Sequence, residues 1–295
     1  MIDPILIGDN PFIGVNHLSS EKGRVSAEKF SNEQQVVDIL NYASDLGIRG
    51  FVASTHPNLR NVVNYITKNT NLADKINLYP ILPYAQGYVI KMTEKGIIGA
   101  ANDILSPASL KEKTGLFIRG GVGILKKDAY ALSKTLVDVE LLPLKKMNIK
   151  AVFLHDVFTD LALAMKSKGA FEVFSGHVKD KYNAIPGFVT KNFARLVNQA
   201  NDWGMDIPLV MTHFNKVGFQ MNPSREECEK ALDDYKGEVI AMATLASGYL
   251  KPKEAFEYIF SLPKIKSVVV GVSTKQHAKE TFEMLKSHFN YAQAN

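Results

Sequence analysis

Three histidines stand at the ends of short apolar segments. His56, His155 and His213 each follow such a segment by one or two residues, and His17 follows another at a greater distance. Neutral imidazoles on converging strands can bind a divalent metal such as Zn²⁺ and leave one position open for water or substrate. They can equally act as general acids and bases near neutral pH without a metal. The spacing predicts a site of one of these two kinds, with His56, His155 and His213 as the metal ligands in the first, and the alternative is a mostly structural role at the barrel rim.

Two carboxylates and a tyrosine occupy similar positions. Asp9 follows the first apolar segment, Asp156 is adjacent to His155, and Tyr84 follows the third segment. We expect Asp9 and Asp156 to orient the histidines or to join the metal, and Tyr84 to be a candidate proton donor. The predicted catalytic residues are therefore His155, His56, His213, Asp9, Asp156 and Tyr84.

The elements that must position these residues alternate in a regular way. Apolar, β-branched segments alternate with amphipathic ones, as in a parallel sheet covered by helices. The predicted strands are residues 4–8, 50–54, 77–82, 150–154, 185–189, 207–211, 239–243 and 267–271. Eight such units predict an α/β fold, a (βα)₈ TIM barrel, in which the carboxyl ends of all strands meet at one mouth. We expect one domain over residues 1–295, with an enlarged segment between strands three and four.

Two short turns near the carboxyl terminus are rich in glycine and hydroxyl side chains. Residues 245–248 and 271–274 lead from strands seven and eight into helices. Backbone N–H groups in such turns bind phosphate in many barrels, although glycine can also serve only the tight turn. The predicted cofactor or phosphate contacts are Ser247, Gly248, Gly271, Ser273 and Thr274, and the other interpretation of Ser273 is a helix N-cap.

Composition excludes several partner classes. The formal net charge is +5, but the lysines are scattered rather than gathered in a basic stripe, so we expect no nucleic-acid partner. The chain has no apolar run of the roughly 20 residues that span a membrane. A single cysteine and the lack of a signal-like start favour a cytoplasmic protein that acts on a small molecule.

A resemblance to a known family lies in residues 239–250 and 267–274, in Glu280 and Thr281, and in His155 after the fourth strand. In these residues the chain resembles the aldo/keto reductase superfamily. The resemblance implies a TIM barrel, an NADP cofactor bound by residues 271–274, and carbonyl reduction. The catalytic tetrad of the family is largely absent, since residues 52–56 contain neither aspartate nor tyrosine and residues 82–84 contain no lysine. Met242 stands where the family places an aromatic residue, and only His155 matches the tetrad.

The sequence is compatible with three functions. Because the tyrosine and lysine of the reductase are missing, the sequence favours non-redox chemistry, as in a lyase, isomerase or hydrolase, on a small polar metabolite with or without a phosphate. The first alternative is an NADP-dependent oxidoreductase like the aldo/keto reductases. The second is a barrel without catalysis that serves as a binding module.

Overall fold

The computed structural model describes residues 1–15, 19–83 and 129–289. Within these residues the strands are β1 (Ile5–Gly8), β2 (Gly50–Ser54), β3 (Asn77–Leu82), β4 (Asn148–Ile149), β5 (Ala151–Leu154), β6 (Ile185–Thr190), β7 (Leu209–His213), β8 (Glu238–Met242) and β9 (Ile265–Val270). They are parallel and form a closed barrel: the order runs β2-β1-β9-β8-β7-β6-β5-β3, and β3 pairs back with β2. The short strand β4 pairs with the start of β3, and β5 continues along the same neighbour, so β4 and β5 together fill one of eight positions.

Helices surround this barrel and confirm the predicted (βα)₈ fold. The helices are α1 (Ser20–Lys29), α2 (Glu33–Asp45), α3 (Pro57–Asn69), α4 (Ala129–Leu141), α5 (Asp156–Ala164), α6 (Lys168–Tyr182), α7 (Phe193–Trp203), α8 (Arg225–Asp234), α9 (Pro252–Phe260) and α10 (Lys275–His288). Helix α1 is additional to the prediction: it precedes α2 in the connection after β1, and the sequence pattern does not indicate it. No helix among them is long and apolar enough to cross a membrane. The predicted enlargement between strands three and four falls on residues 84–128, outside the described part of the chain.

Both faces of the strands are buried, which explains why their sequences are apolar without alternation. One set of side chains fills the barrel interior and includes Leu6, Val52, Tyr79, Phe153 and Met211. The intervening residues face outward and pack against the helices in a second, larger core. Because side chains alternate in direction along each strand, every second residue points into the barrel up to the mouth. At the mouth, polar residues follow the last apolar ones.

One strand boundary differs from its prediction in a way that affects the site. The sixth predicted strand, residues 207–211, lies two residues later in the structure, as β7 (Leu209–His213). Pro208 has no N–H to donate to a strand ladder, which favours a start after it. His213 is consequently the last residue of the strand and pairs in register with Met242 of β8.

A buried ion cluster joins α4 to α6. The Asp138 carboxylate is 7% exposed and lies 2.7 Å from His177 Nε2, 2.7 Å from the Tyr182 hydroxyl and 2.6 Å from Lys181 Nζ. Burial raises the pKa of Asp138, but the hydrogen bonds and the Lys181 charge outweigh it and lower the pKa to about 2. The ionised carboxylate therefore stabilises the folded chain.

Asp138→Asn is expected to lower the free energy of unfolding by about 2 kcal/mol at neutral pH. A carboxyl group whose pKa is lower in the folded state than in the unfolded state stabilises the fold fully at pH values above its unfolded-state pKa. This stabilisation is lost as the pH falls through the folded-state pKa. The difference from wild type should hence shrink between about pH 4 and pH 2. Urea unfolding across this range measures it, and a difference that stays constant with pH would contradict the ion pairing.

Candidate functional site

Three neighbouring barrel positions bring basic side chains to one side of the mouth. His155 follows the interior residue Phe153 by two, Lys191 follows Val189 by two, and His213 follows Met211 by two. They belong to the ends of β5, β6 and β7, which are adjacent in the sheet. Alternation therefore directs all three toward the mouth.

His155 is held by the aspartate that follows it. His155 Nδ1 lies 2.7 Å from Asp156 Oδ1 and 3.3 Å from the backbone nitrogen of Val157, which itself donates to Asp156 Oδ1 at 2.9 Å. Nδ1 cannot donate to the carboxylate and accept from the amide at once, and the shorter contact together with the amide bond to Asp156 favours donation to the carboxylate. Nε2 is then the ring nitrogen left for a substrate.

Lys191 completes a chain of charged side chains on the same side of the mouth. Its Nζ lies 2.9 Å from Asp156 Oδ2, and its backbone nitrogen donates to Asp160 Oδ2 of α5 at 3.3 Å. Burial raises the pKa of Asp156, but the hydrogen bonds from His155 and Lys191 outweigh it and hold the pKa well below its usual range. Asp156 thus remains ionised and orients the imidazole.

Asp9 lies on the other side of the mouth, against the end of β2. Its Oδ2 accepts a hydrogen bond from the Ser54 backbone nitrogen at 2.7 Å and another from the Ser54 hydroxyl at 2.6 Å. Burial raises the pKa of Asp9, and the two bonds from Ser54 and the charge of His155 oppose this rise. A carboxyl of this kind can hold a proton closer to neutral pH than an exposed aspartate does.

His56 occupies the same kind of position as His155, between a strand and a helix. Its Nδ1 accepts a hydrogen bond from the Asn58 backbone nitrogen at 3.1 Å and so caps α3. Burial, with a smaller contribution from the Arg60 charge, lowers the pKa of this half-buried histidine. His56 therefore stays neutral more readily than an exposed histidine.

The metal hypothesis finds no support in the described residues. Within residues 1–15, 19–83 and 129–289, no group of three or more histidine, cysteine, aspartate or glutamate side chains is placed to hold a metal ion. His56, His155 and His213 thus do not form the tentative ligand set. Tyr84 and His17 lie outside the described residues, so the predicted role of Tyr84 stays a prediction.

The two predicted phosphate turns both lie at the mouth. After β8, Ser247 (φ 60°) and Gly248 (φ 95°) adopt left-handed backbone conformations, which a serine seldom does. After β9, Gly271 packs so closely that an added Cβ would lie 2.9 Å from Pro11 Cγ. Non-glycine residues held in sparsely populated conformations cluster at ligand sites more often than elsewhere.

Two residues near the second turn have roles that the sequence pattern did not assign. Thr274 caps α10 by accepting from the His277 backbone nitrogen at 3.0 Å, so Ser273 is not the N-cap. Lys29, at the end of α1, places its Nζ 2.5 Å from the Ser273 carbonyl oxygen. A cation therefore stands beside the turn that was predicted to meet a phosphate.

Sequence reasoning missed Lys191 as well as Lys29. Lys191 follows the predicted strand at residues 185–189 by two positions, as His56 and His213 follow theirs, and this spacing could have identified it. Lys29 offered no such signal, because α1 reaches the β9 turn only through the fold.

Solved structures share this architecture at low sequence identity. A Pseudomonas aeruginosa protein provisionally described as an aldo-keto reductase has a TM-score of 0.61 and 13% identity, covering 97% of this chain and 90% of its own. A thermostable aldo-keto reductase in complex with the inhibitor epalrestat has a TM-score of 0.57 and 10% identity, covering 98% and 93%. An aldo/keto reductase from Brucella melitensis has a TM-score of 0.52 and 13% identity, covering 99% and 90%.

Comparisons by sequence find no match, in contrast to comparisons by structure. No family model matches the chain. No curated protein matches it either.

These neighbours correct the functional expectation. The non-redox lyase, isomerase or hydrolase chemistry favoured by the sequence is wrong, because the solved structures that share the fold are described as aldo-keto reductases, which favours the redox alternative. The expectation rested on the missing tyrosine and lysine, and the sequence pattern did not show that the fold brings Lys191 to Asp156, which pairs with His155. The fold of the chain is that of a divergent aldo-keto reductase-like (βα)₈ barrel.

Proposed function

We propose that the protein is an NADP(H)-dependent oxidoreductase that interconverts a carbonyl group and an alcohol on a small polar molecule. The observation that carries the proposal is the His155–Asp156–Lys191 chain at the mouth of a barrel shared with aldo-keto reductases. Such a chain supplies a positioned proton donor, which carbonyl reduction requires.

The residues at the two turns fit a phosphate-bearing cofactor. The hydroxyls of Ser247 and Ser273, the open space at Gly248 and the Lys29 ammonium beside Ser273 form a cradle suited to anionic oxygen atoms. When bound, the nicotinamide supplies a hydride to the carbonyl carbon or accepts one from the alcohol.

Among these charged residues, His155 is the one that exchanges a proton with the substrate. With Nδ1–H donated to Asp156, a proton on Nε2 can pass to the carbonyl oxygen during reduction and return during oxidation. Asp156 stabilises the imidazolium that donates this proton, and Lys191 keeps Asp156 ionised. This arrangement replaces the lysine-activated tyrosine with groups from β5 and β6.

Asp9 and His213 line the rest of the mouth. The Asp9 carboxyl, held by Ser54, can form a hydrogen bond to a polar substituent of the substrate, and the buried His213 ring lies beside Met242. A small molecule with at least one hydroxyl or carbonyl next to the reacting carbon suits this polar rim.

Titration with NADPH tests the proposal first. We expect the fluorescence of the nicotinamide to change on binding, with saturation at micromolar concentrations. Trp203 is a poor reporter, because it ends α7 at the opposite end of the barrel and packs 5.4 Å from the Phe171 ring. No binding at millimolar NADPH would contradict the proposal.

Lys29→Met is expected to raise the dissociation constant for NADPH by about tenfold, because a charge-assisted contact to phosphate contributes about 1.5 kcal/mol or more. Lys68→Met is the matched control, since Lys68 lies in the last turn of α3, away from the mouth. Equal affinities for wild type and both variants would remove Lys29 from the cofactor site.

A further inference from the structure

Glu140 is a carboxylate buried outside the mouth, at the end of α4. Its side chain has 0% exposure and its Oε1 lies 3.0 Å from Arg60 Nη2 of α3. The Thr55 hydroxyl donates a hydrogen bond to Glu140 Oε2. Burying a carboxylate is costly unless it is paired and hydrogen-bonded, so an arrangement of this kind holds its partners firmly in place.

Arg60 connects the carboxylate to the main chain as well. Its Nε donates to the Thr55 carbonyl oxygen at 3.0 Å while its Nη2 pairs with Glu140. Thr55, 1% exposed, is thus held by both its side chain and its carbonyl group. The three residues Glu140, Arg60 and Thr55, here called the Glu140 network, fix the junction between β2 and α3.

This junction carries two groups of the mouth. Ser54, directly before Thr55, donates two hydrogen bonds to Asp9, and His56, directly after it, is the N-cap of α3. We propose that Glu140 is a positioning residue, which acts through Thr55 to place the Ser54–Asp9 pair and His56 at the mouth. A misplacement of about 1 Å, caused by a change far from the reacting atoms, can slow a reaction by about a hundredfold. The inference rests on the proposed function for its kinetic consequences only.

The chain provides a matched control on the same helix. Asp138 precedes Glu140 by two residues and is also a buried carboxylate in an ion cluster, but its partners are on α6 rather than at the mouth. Asp138→Asn therefore removes a buried charge from α4 without touching the β2–α3 junction.

Kinetics of NADPH-dependent carbonyl reduction test the inference. We expect Glu140→Gln and Thr55→Val each to lower kcat about tenfold with the dissociation constant for NADPH unchanged, because the barrier rises without loss of the cofactor site. Thr55→Ser, which keeps the hydroxyl, and Asp138→Asn should stay within about twofold of wild type. If Asp138→Asn lowers kcat as much as Glu140→Gln does, or if Thr55→Val matches wild type, Glu140 has only a structural role.

A second readout does not depend on turnover. We expect the imidazole NMR signals of His56 to shift in Glu140→Gln and Thr55→Val and to stay in place in Asp138→Asn and Thr55→Ser. Unchanged His56 signals in all four variants would overturn the inference even if the enzyme is active. Shifted signals in a protein that never oxidises NADPH would instead uphold the positioning and refute the proposed reaction. Thr55→Val keeps the test open if Glu140→Gln does not fold.

Discussion

His155→Ala is expected to lower the turnover number by about a thousandfold, since loss of a positioned general acid costs 10²–10⁴ in rate. Its imidazole pairs with Asp156, which in turn pairs with Lys191. The affinity for NADPH should stay within about twofold, because the cofactor cradle lies after β8 and β9. Steady-state kinetics and a fluorescence titration measure the two quantities.

His288→Ala is the control for this variant. His288 stacks on the Phe260 ring at 3.9 Å, at the end of α10 that lies away from the mouth. Its loss should affect stability slightly and leave turnover unchanged. The turnover number of Asp156→Asn should lie between those of His155→Ala and His288→Ala. The amide oxygen can still accept the Nδ1 proton, but it lacks the charge that stabilises the imidazolium. Equal turnover in His155→Ala and wild type would remove His155 from the reaction.

Gly187→Ala is expected to destabilise the folded barrel by about 2 kcal/mol or more, by overpacking its interior. Gly187 lies in β6, where an added Cβ would stand 2.5 Å from Cδ1 of the Phe153 ring. That ring is fully buried beneath His155, so it cannot move without disturbing the layer that supports the site. Urea unfolding measures the stability, and turnover should fall along with it.

Gly176→Ala should have the opposite effect on stability. Gly176 lies inside α6, and an added Cβ would meet no atom within 4 Å. Alanine is favoured over glycine in a helix interior by about 1 kcal/mol, so this variant should be more stable than wild type. A Gly187→Ala variant as stable as Gly176→Ala would show that the barrel interior tolerates the additional atom.

The sequence predicted the strands well because burial on both faces leaves a strong signal. Strands β2 and β3 begin and end where the apolar segments do, at residues 50–54 and 77–82. Boundaries moved where a local feature competed, as at Pro208, which shifted β7 and placed His213 inside the strand. Helix α1 was missed because its sequence has little apolar periodicity to indicate it.

The sequence predicted site residues only where they directly follow a strand, because the end of a strand fixes a residue's place at the mouth. His155, Asp156, His213 and Asp9 were expected at the strand ends, and the structure places them there. Their hydrogen-bond and charge partners come from other elements: Lys191 follows β6 and pairs with Asp156, and Ser54 of β2 binds Asp9. Glu140 of α4 binds Thr55, which follows Ser54. Pairings between residues tens of positions apart follow from barrel closure, and no local pattern in one sequence records them.

The most direct test of the central claim is hydride transfer itself. Wild-type protein would be incubated with NADPH carrying deuterium at C4 of the nicotinamide, together with a panel of small polar aldehydes and ketones. The proposed reaction predicts deuterium on the carbinol carbon of at least one alcohol product, formed about a thousandfold more slowly with His155→Ala. If wild type leaves NADPH unoxidised across the panel and does not bind it at millimolar concentration, the mouth around His155 is not an oxidoreductase site.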